Sequence, residues 1–244
     1  MNNDEYKKFR IEITTKQHVP VHPKNPYLKY IQDDTRKGTR LSVKVFYDDI
    51  EIGHGVILDF YKQFEIIEDF GASYTNTSRS TILDDRIYKL KYFKNPPISE
   101  QRKQLFISGF VESFIPYIEQ LKNRTKEEEC NCFLTYIPSS TQTPDLTAKE
   151  LSDVTGVDLA NIISKNDADS QESKNIEEYF ESMEHAQRKY LFDTEFISAH
   201  TDAQYIIIDD VMGLGSSILT TLKAIYDITG KMNYFLIVVK DVKR

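Results

Sequence analysis

Residues 204–217 read QYIIIDDVMGLGSS, and their types and order point to one kind of chemistry. An apolar run from Tyr205 to Ile208 leads straight into two adjacent acids, Asp209 and Asp210. A short turn bearing Gly213 and Gly215 follows, then two hydroxyls, Ser216 and Ser217, then a helical pattern. The apolar run is β-branched and continuous, which suits a strand buried on both faces. The turn ends on hydroxyl residues where a helix begins. Free backbone N–H groups and the positive end of the helix dipole meet there and favour a phosphate. Carboxylates beside such a cradle cannot bind the phosphate itself, but they accept hydrogen bonds from sugar hydroxyls next to it. The implied chemistry is a grip on a sugar phosphate. An ordinary strand-to-helix turn of some other α/β protein is the plain alternative.

The surrounding elements are those that would position such a grip. Cys132 to Ile137 reads as a strand that ends at the polar loop Pro138-Ser139-Ser140-Thr141. Thr143 is a good N-cap with Pro144 at the first helical position. Leu146, Ala148, Leu151 and Val154 then share a helical face that stops at Gly156. Val157 to Ile163 is the next strand candidate. After the strand at 204–208, the spacing of Ile218, Leu219, Leu222, Ile225 and Tyr226 predicts a helix closed by Gly230, and Tyr234 to Val239 predicts a further buried strand. Upstream, Ser99 can cap a long helix through Lys122, with Leu105, Phe106, Phe110, Phe114, Ile118 and Leu121 on its apolar side and Pro116 inside it. Strands alternating with helices argue an α/β domain whose mostly parallel sheet is flanked by helices on both faces. This domain is expected to span 86–244. Residues 165–203 are polar and read as a mobile loop, with a helical stretch from Ile176 to Arg188. Residues 1–85 hold the strand-like runs RIEIT, LSVKVFY and GVILDFY, with Gly38, Gly53 and Gly55 near the turns, and read as a small N-terminal β-rich addition.

Composition bounds the function. The 244 residues can bury a sizeable core without a disulfide or metal staple. Plentiful aromatics, 15 Tyr and 14 Phe, argue against disorder. A net charge of −7 makes nucleic acid an unexpected partner. No apolar run is long enough to span a membrane, and the N-terminus MNNDEYKKFR lacks the apolar core of a signal peptide, so a cytoplasmic location is expected. Cys130 and Cys132 are too few for a four-cysteine zinc site and too close for a relaxed disulfide, and read as reduced packing residues. His18 and His22 share one side of an extended segment with no acid cluster near, so no protein metal site is expected. No Gly-Lys-Ser/Thr phosphate loop and no G-x-S-x-G elbow occurs.

The segment Asp209 to Ser217 resembles the phosphoribosyl-diphosphate (PRPP) motif of type I phosphoribosyltransferases. Within that family the chain is most similar to the competence-associated, amidophosphoribosyltransferase-like branch. Leu90-Lys91-Tyr92, Tyr136-Ile137-Pro138 and Gln187-Arg188-Lys189 stand at the corresponding places. The resemblance covers 86–244, and it implies the type I phosphoribosyltransferase fold with residues 1–85 as a hood. It implies that Asp209 and Asp210 hold the ribose hydroxyls and that Gly213, Leu214, Gly215, Ser216 and Ser217 wrap the 5′-phosphate. Ser139, Ser140 and Thr141 would line the diphosphate site, and Arg188 or Lys189 would approach the leaving group from the loop. Mg²⁺, bound through PRPP oxygens, is the implied cofactor. Two departures stand out: Gly213 and Leu214 replace the family's usual threonines, and the loop from Pro138 to Thr143 lacks a basic residue. The expected function is transfer of phosphoribose from PRPP, or a related ribose 5-phosphate, to a base or amine. The alternative is a weak or inactive member of the fold, acting as a nucleotide-ligand sensor or as a subunit of a larger assembly. A homo-oligomer or a protein partner fits either reading.

Overall fold

The computed structural model describes residues 1–19, 23–61, 64–67, 73–76, 82–93, 97–127, 130–166 and 178–241. Its elements in chain order begin with α1 (Asn3–Tyr6), β1 (Phe9–Thr15), β2 (Leu28–Gln32), β3 (Leu41–Tyr47), β4 (Ile50–Phe60), β5 (Phe64–Ile67) and β6 (Ser73–Asn76). There follow α2 (Ile82–Tyr92), α3 (Glu100–Glu127), β7 (Cys132–Tyr136), α4 (Thr143–Thr155), β8 (Asp158–Leu159), β9 (Ile163–Lys165) and α5 (Tyr179–Lys189). The chain continues with β10 (Tyr190–Phe192), α6 (Thr194–Ala199), β11 (Gln204–Met212), α7 (Ser216–Thr229) and β12 (Asn233–Lys240).

One eight-stranded mixed sheet organises the molecule, in the order β2-β1-β3-β4-β12-β11-β7-β8. Every pairing from β4 through β12, β11 and β7 to β8 is parallel, and only β3 runs antiparallel to its neighbours. This is the expected α/β architecture with a mostly parallel sheet. Strands β1–β4, read as an addition, are edge-to-edge members of the same sheet, and β4 pairs with β12 from Gly53 to Phe60. Gly53 and Gly55 lie inside β4 rather than at turns. A Cβ on either would meet Leu222 or the Phe235 ring within 2.4 Å, so the two glycines let α7 and β12 pack closely. The β3–β4 turn itself is made by Asp48 and Asp49, both at positive φ, as a tight hairpin requires.

Two hydrophobic cores lie on the two faces of the sheet. Tyr205 and Ile207 point into one, with α5, α6 and α7, whereas Ile206 and Ile208 point into the other, with α2, α3 and α4. All four side chains are fully buried, which is why the run shows no polar alternation. Burying each of the three isoleucines contributes roughly 1.5–3 kcal/mol.

Several boundaries differ from the sequence reading. The strand expected at 157–163 is two short pieces, with β8 joining the main sheet and β9 pairing with β10. Helix α4 starts at Thr143 rather than being capped by it, and Gln142 takes the cap position with a left-handed backbone. Ser99 Oγ does accept from the Arg102 amide at 3.3 Å, but α3 runs on through Pro116 to Glu127. Leu105 is exposed, because the buried stripe of α3 runs through Phe106, Ile107, Phe110, Phe114 and Ile118. Within the stretch 165–203 the expected helix is α5, and β10 and α6 follow it as further built structure; the three bury Tyr179, Met183, Ala186, Tyr190 and Ile197. Residues 167–177, with Ile176 among them, lie outside the described residues, as does His22. His18 approaches Gln32 Oε1 at 3.3 Å. The two cysteines are not disulfide-bonded, and burial pushes the Cys132 thiol up to about 12. Among the described residues, no helix is long and apolar enough to cross a membrane.

Candidate functional site

The site forms where parallel strands end at different lengths. β7 stops at Tyr136, paired with Ile208, and the Ile137 amide makes the last bond to Ile208. β11 continues to Met212 alongside β12, so Asp209 and Asp210 lie inside the strand but beyond the reach of β7. This is the carboxyl end of the parallel strands, where open α/β sheets bind ligands. Successive strand residues point to opposite faces, so the two acids separate.

Asp210 faces the α2 side and is only 4% exposed. Its Oδ1 lies 3.1 Å from Lys91 Nζ of α2. Its Oδ2 accepts from Ser139 Oγ at 3.3 Å and from Thr141 Oγ1 at 3.2 Å, and those two hydroxyls are themselves 3.1 Å apart. Ser140 is exposed. Burial works against the Lys91 ammonium, but Asp210 and then Asp209 outweigh it and hold its pKa above the ordinary lysine value.

Asp209 faces the α5 and α7 side and lines a cavity of about 160 Å³ bounded by Ser182, Met212 and the Gly213–Ile218 turn. Its Oδ1 accepts from the Asp210 amide at 2.8 Å. Burial, then the neighbouring Asp210 charge, raises its pKa well above the carboxyl range, against the opposing charges of Lys91 and Lys189. Gly215 caps α7 at φ +89°, a left-handed backbone at which a Cβ would also meet Ile11 at 2.8 Å. Gly215, as the N-cap, supplies no side-chain bond to the first-turn amides of α7. The turn is also braced from around it. Ser216 Oγ meets Ser182 Oγ at 2.7 Å, and Ser217 Oγ meets the Tyr190 hydroxyl at 3.2 Å. The Leu214 side chain is buried.

The predicted residues therefore fall into three groups. Gly213 to Ser217 and Asp209 surround one cavity. Asp210, Ser139 and Thr141 form a second cluster across the strand. Arg188, at the last turn of α5, lines a separate open cleft with Asp4, Tyr6 and Gln187. Of the adjacent basic pair, Lys189 is the one whose charge acts on Asp209. Neighbouring helical residues point about 100° apart, so one of such a pair turns away from any given site. Lys91 entered the sequence reading only as a landmark, with no role assigned to it. Asn25 and Lys240, which bond the carbonyls of Leu214 and Gly213, were missed altogether. Lys240 could have been suspected as the lone cation closing the run YFLIVVK; Asn25 carries no sequence signal.

Among the described residues, no group of three or more His, Cys, Asp or Glu side chains is placed to hold a metal. The oxygen donors at the mouth of the sheet are the two carboxylates, and Asp210 is already met by an ammonium and two hydroxyls. Chemically, the arrangement offers backbone N–H donors to an anion and a carboxyl to a hydroxyl within one small cavity. No protein-family model matches the chain, and a comparison with curated protein sequences likewise finds no match.

Proposed function

We propose that the chain is a phosphoribosyltransferase-like protein that binds PRPP, or a related ribose 5-phosphate, at the β11–α7 turn and transfers the phosphoribose to a base or amine. The observation that carries this reading is one cavity bounded by Asp209 on one side and, on the other, by the first turn of α7, to which the N-cap Gly215 supplies no side-chain bond. Its volume of about 160 Å³ is small beside the roughly 300–1,000 Å³ of pockets that enclose drug-sized ligands. A phosphoryl group with its sugar matches that scale better than a whole nucleotide does.

Transfer of this kind breaks the bond from ribose C1 to diphosphate through an oxocarbenium-like state. The protein's tasks are to hold the ribose, meet the departing charge and exclude water. In this reading the amides of the Gly213–Ile218 turn take the 5′-phosphate and Asp209 meets the ribose hydroxyls. Ser139 and Thr141 stand where the diphosphate would lie. Lys91 brings to that side the positive charge that residues 138–143 lack. Mg²⁺ fits if substrate oxygens supply most of its ligands, because it commonly takes only one or two carboxylates from a protein. Asp209 is the donor on the cavity side, and the ion would neutralise diphosphate charge. Arg188 has no part in this arrangement.

A second reading is favoured by one specific observation. Asp210 is already bound by Lys91, Ser139 and Thr141, as in a site organised to bind rather than to turn over. In that reading the chain is a sensor or an assembly subunit. Calorimetry with PRPP and release of diphosphate separate the readings. Binding with release in the presence of a base or amine supports transfer, and binding without release supports the sensor. Asp209→Asn should weaken PRPP binding by about tenfold or more, the loss of roughly 1.4 kcal/mol of hydrogen bonding. Undiminished affinity in that variant removes Asp209 from the ribose grip.

A further inference from the structure

Two side chains from distant parts of the chain reach under the glycine turn. Asn25, fully buried, donates from Nδ2 to the Leu214 carbonyl at 2.8 Å. Lys240, also fully buried at the end of β12, donates from Nζ to the Gly213 carbonyl at 2.8 Å and to the Asp241 carbonyl. A trans peptide is planar, with its C=O and N–H pointing in opposite directions. The Gly213 carbonyl shares its peptide with the Leu214 N–H, and the Leu214 carbonyl shares its peptide with the Gly215 N–H. Holding both carbonyls against buried donors turns both amides the other way. Both peptides belong to residues that line the cavity beside Asp209.

Building on the ribose-phosphate reading above, we infer that Asn25 and Lys240 are positioning residues that hold the Gly213–Gly215 turn with its amides facing the bound phosphate. Neither touches the ligand; each fixes the orientation of a peptide that does. Preorganised donors of this kind are effective because they need no rearrangement when the anion arrives. The choice of residues supports the role. A lysine is costly to bury, and an apolar side chain of similar length would fill the same space. Asn25 also accepts from the Tyr27 amide through Oδ1 at 2.9 Å, which fixes the direction of its amide group. Burial pushes the Lys240 ammonium down to about 7, against the pull of Asp241. Charged or neutral, the amine keeps two N–H donors for its two carbonyls, so the tether holds in both states.

The test uses the full chain as wild type, Lys240→Met and Asn25→Asp. The first variant conserves volume. The second keeps the acceptor for Tyr27 and loses the donor to Leu214 once its carboxyl is ionised, so affinity is read at a pH well above the carboxyl range. Calorimetry with PRPP, ribose 5-phosphate and inorganic phosphate should show affinity about tenfold weaker or worse in both variants, for each probe the wild type binds. Hydrogen exchange at the Leu214 and Gly215 amides should quicken. Lys240→Met should lower the melting point by several degrees, because two buried carbonyls lose a donor, and should weaken affinity with it, whereas a merely structural lysine would lower the melting point and leave affinity alone. If Asn25→Asp does not fold, Lys240→Met decides by itself. Unchanged affinity or unchanged amide exchange in Lys240→Met overturns the positioning role and leaves the ribose-phosphate reading standing. A wild type that binds none of the three probes overturns both.

Discussion

Asp209 and Asp210 are the same chemical group one residue apart, yet the two sides of β11 treat them in opposite ways. On the α2 side Asp210 meets an ammonium and two hydroxyls. On the α7 side Asp209 faces a cavity with no lysine or arginine among its described lining residues, and burial disfavours its charge. The difference comes from strand geometry. A period of two sends neighbours to opposite faces, and each face then supplies its own helices. One side is therefore assembled and charge-compensated without a ligand. The other holds a carboxyl that Lys91 and Lys189 offset only in part, beside a small cavity.

The sharpest way to break this contrast is to remove the ammonium. Lys91→Met strands Asp210, which is 4% exposed. Breaking a buried pair from one side costs about 3–5 kcal/mol, and the partial exposure of Lys91, 26% for its side chain, puts the expectation near 3. Urea denaturation should show the loss as a lowered midpoint with an unaltered slope. Adding Asp210→Asn should restore most of it. If Lys91→Met is as stable as wild type, the α2 side is not held by its ion pair and the contrast fails.

The pH dependence probes the other side. Asp209 has its folded pKa raised above the unfolded carboxyl value of 3.8, so the folded protein holds this proton more tightly. Its contribution is complete below the unfolded pKa and is lost as pH rises toward neutrality and through the folded pKa. Asp209→Asn removes this loss and keeps an acceptor for the Asp210 amide. The variant should match wild type near pH 4 and exceed it by about 2 kcal/mol near pH 8, read from urea midpoints at the two values. A variant whose advantage does not grow with pH would show that Asp209 is as well compensated as Asp210.

How much of this was legible follows from where each partner lies in the chain. The strand and helix flanking the turn were readable because Tyr205–Ile208 and Ile218–Tyr226 carry their periods locally. The opposed directions of Asp209 and Asp210 follow from the same period. What compensates Asp210 does not, because it depends on β7 stopping at Tyr136 and on α2 delivering Lys91. The tether from Asn25 spans 189 residues and exists only because β1 and β2 belong to the main sheet, which the reading of 1–85 as an addition did not supply. Arg188 was chosen for its charge and neighbourhood in sequence, but the turn of α5 sends it to another cleft. Leu105 shows the same limit: an apolar residue at roughly helical spacing still falls outside the stripe that packs.

The smallest expected effect separates the contributions within the α2 side. Ser139 Oγ donates to Asp210 over a long 3.3 Å, and Thr141 offers a second hydroxyl at 3.2 Å. Ser139→Ala therefore leaves Asp210 with both Lys91 and Thr141. A hydrogen bond of this length that is partly replaceable is worth about 1 kcal/mol or less, so the urea midpoint should move far less than for Lys91→Met. The two variants should be sub-additive, because both act on one carboxylate. If Ser139→Ala proves the more damaging of the two, the hydroxyls rather than the ammonium hold Asp210. Lys91 would then be available to swing toward a diphosphate, and the α2 side would belong to the ligand as much as the α7 side does.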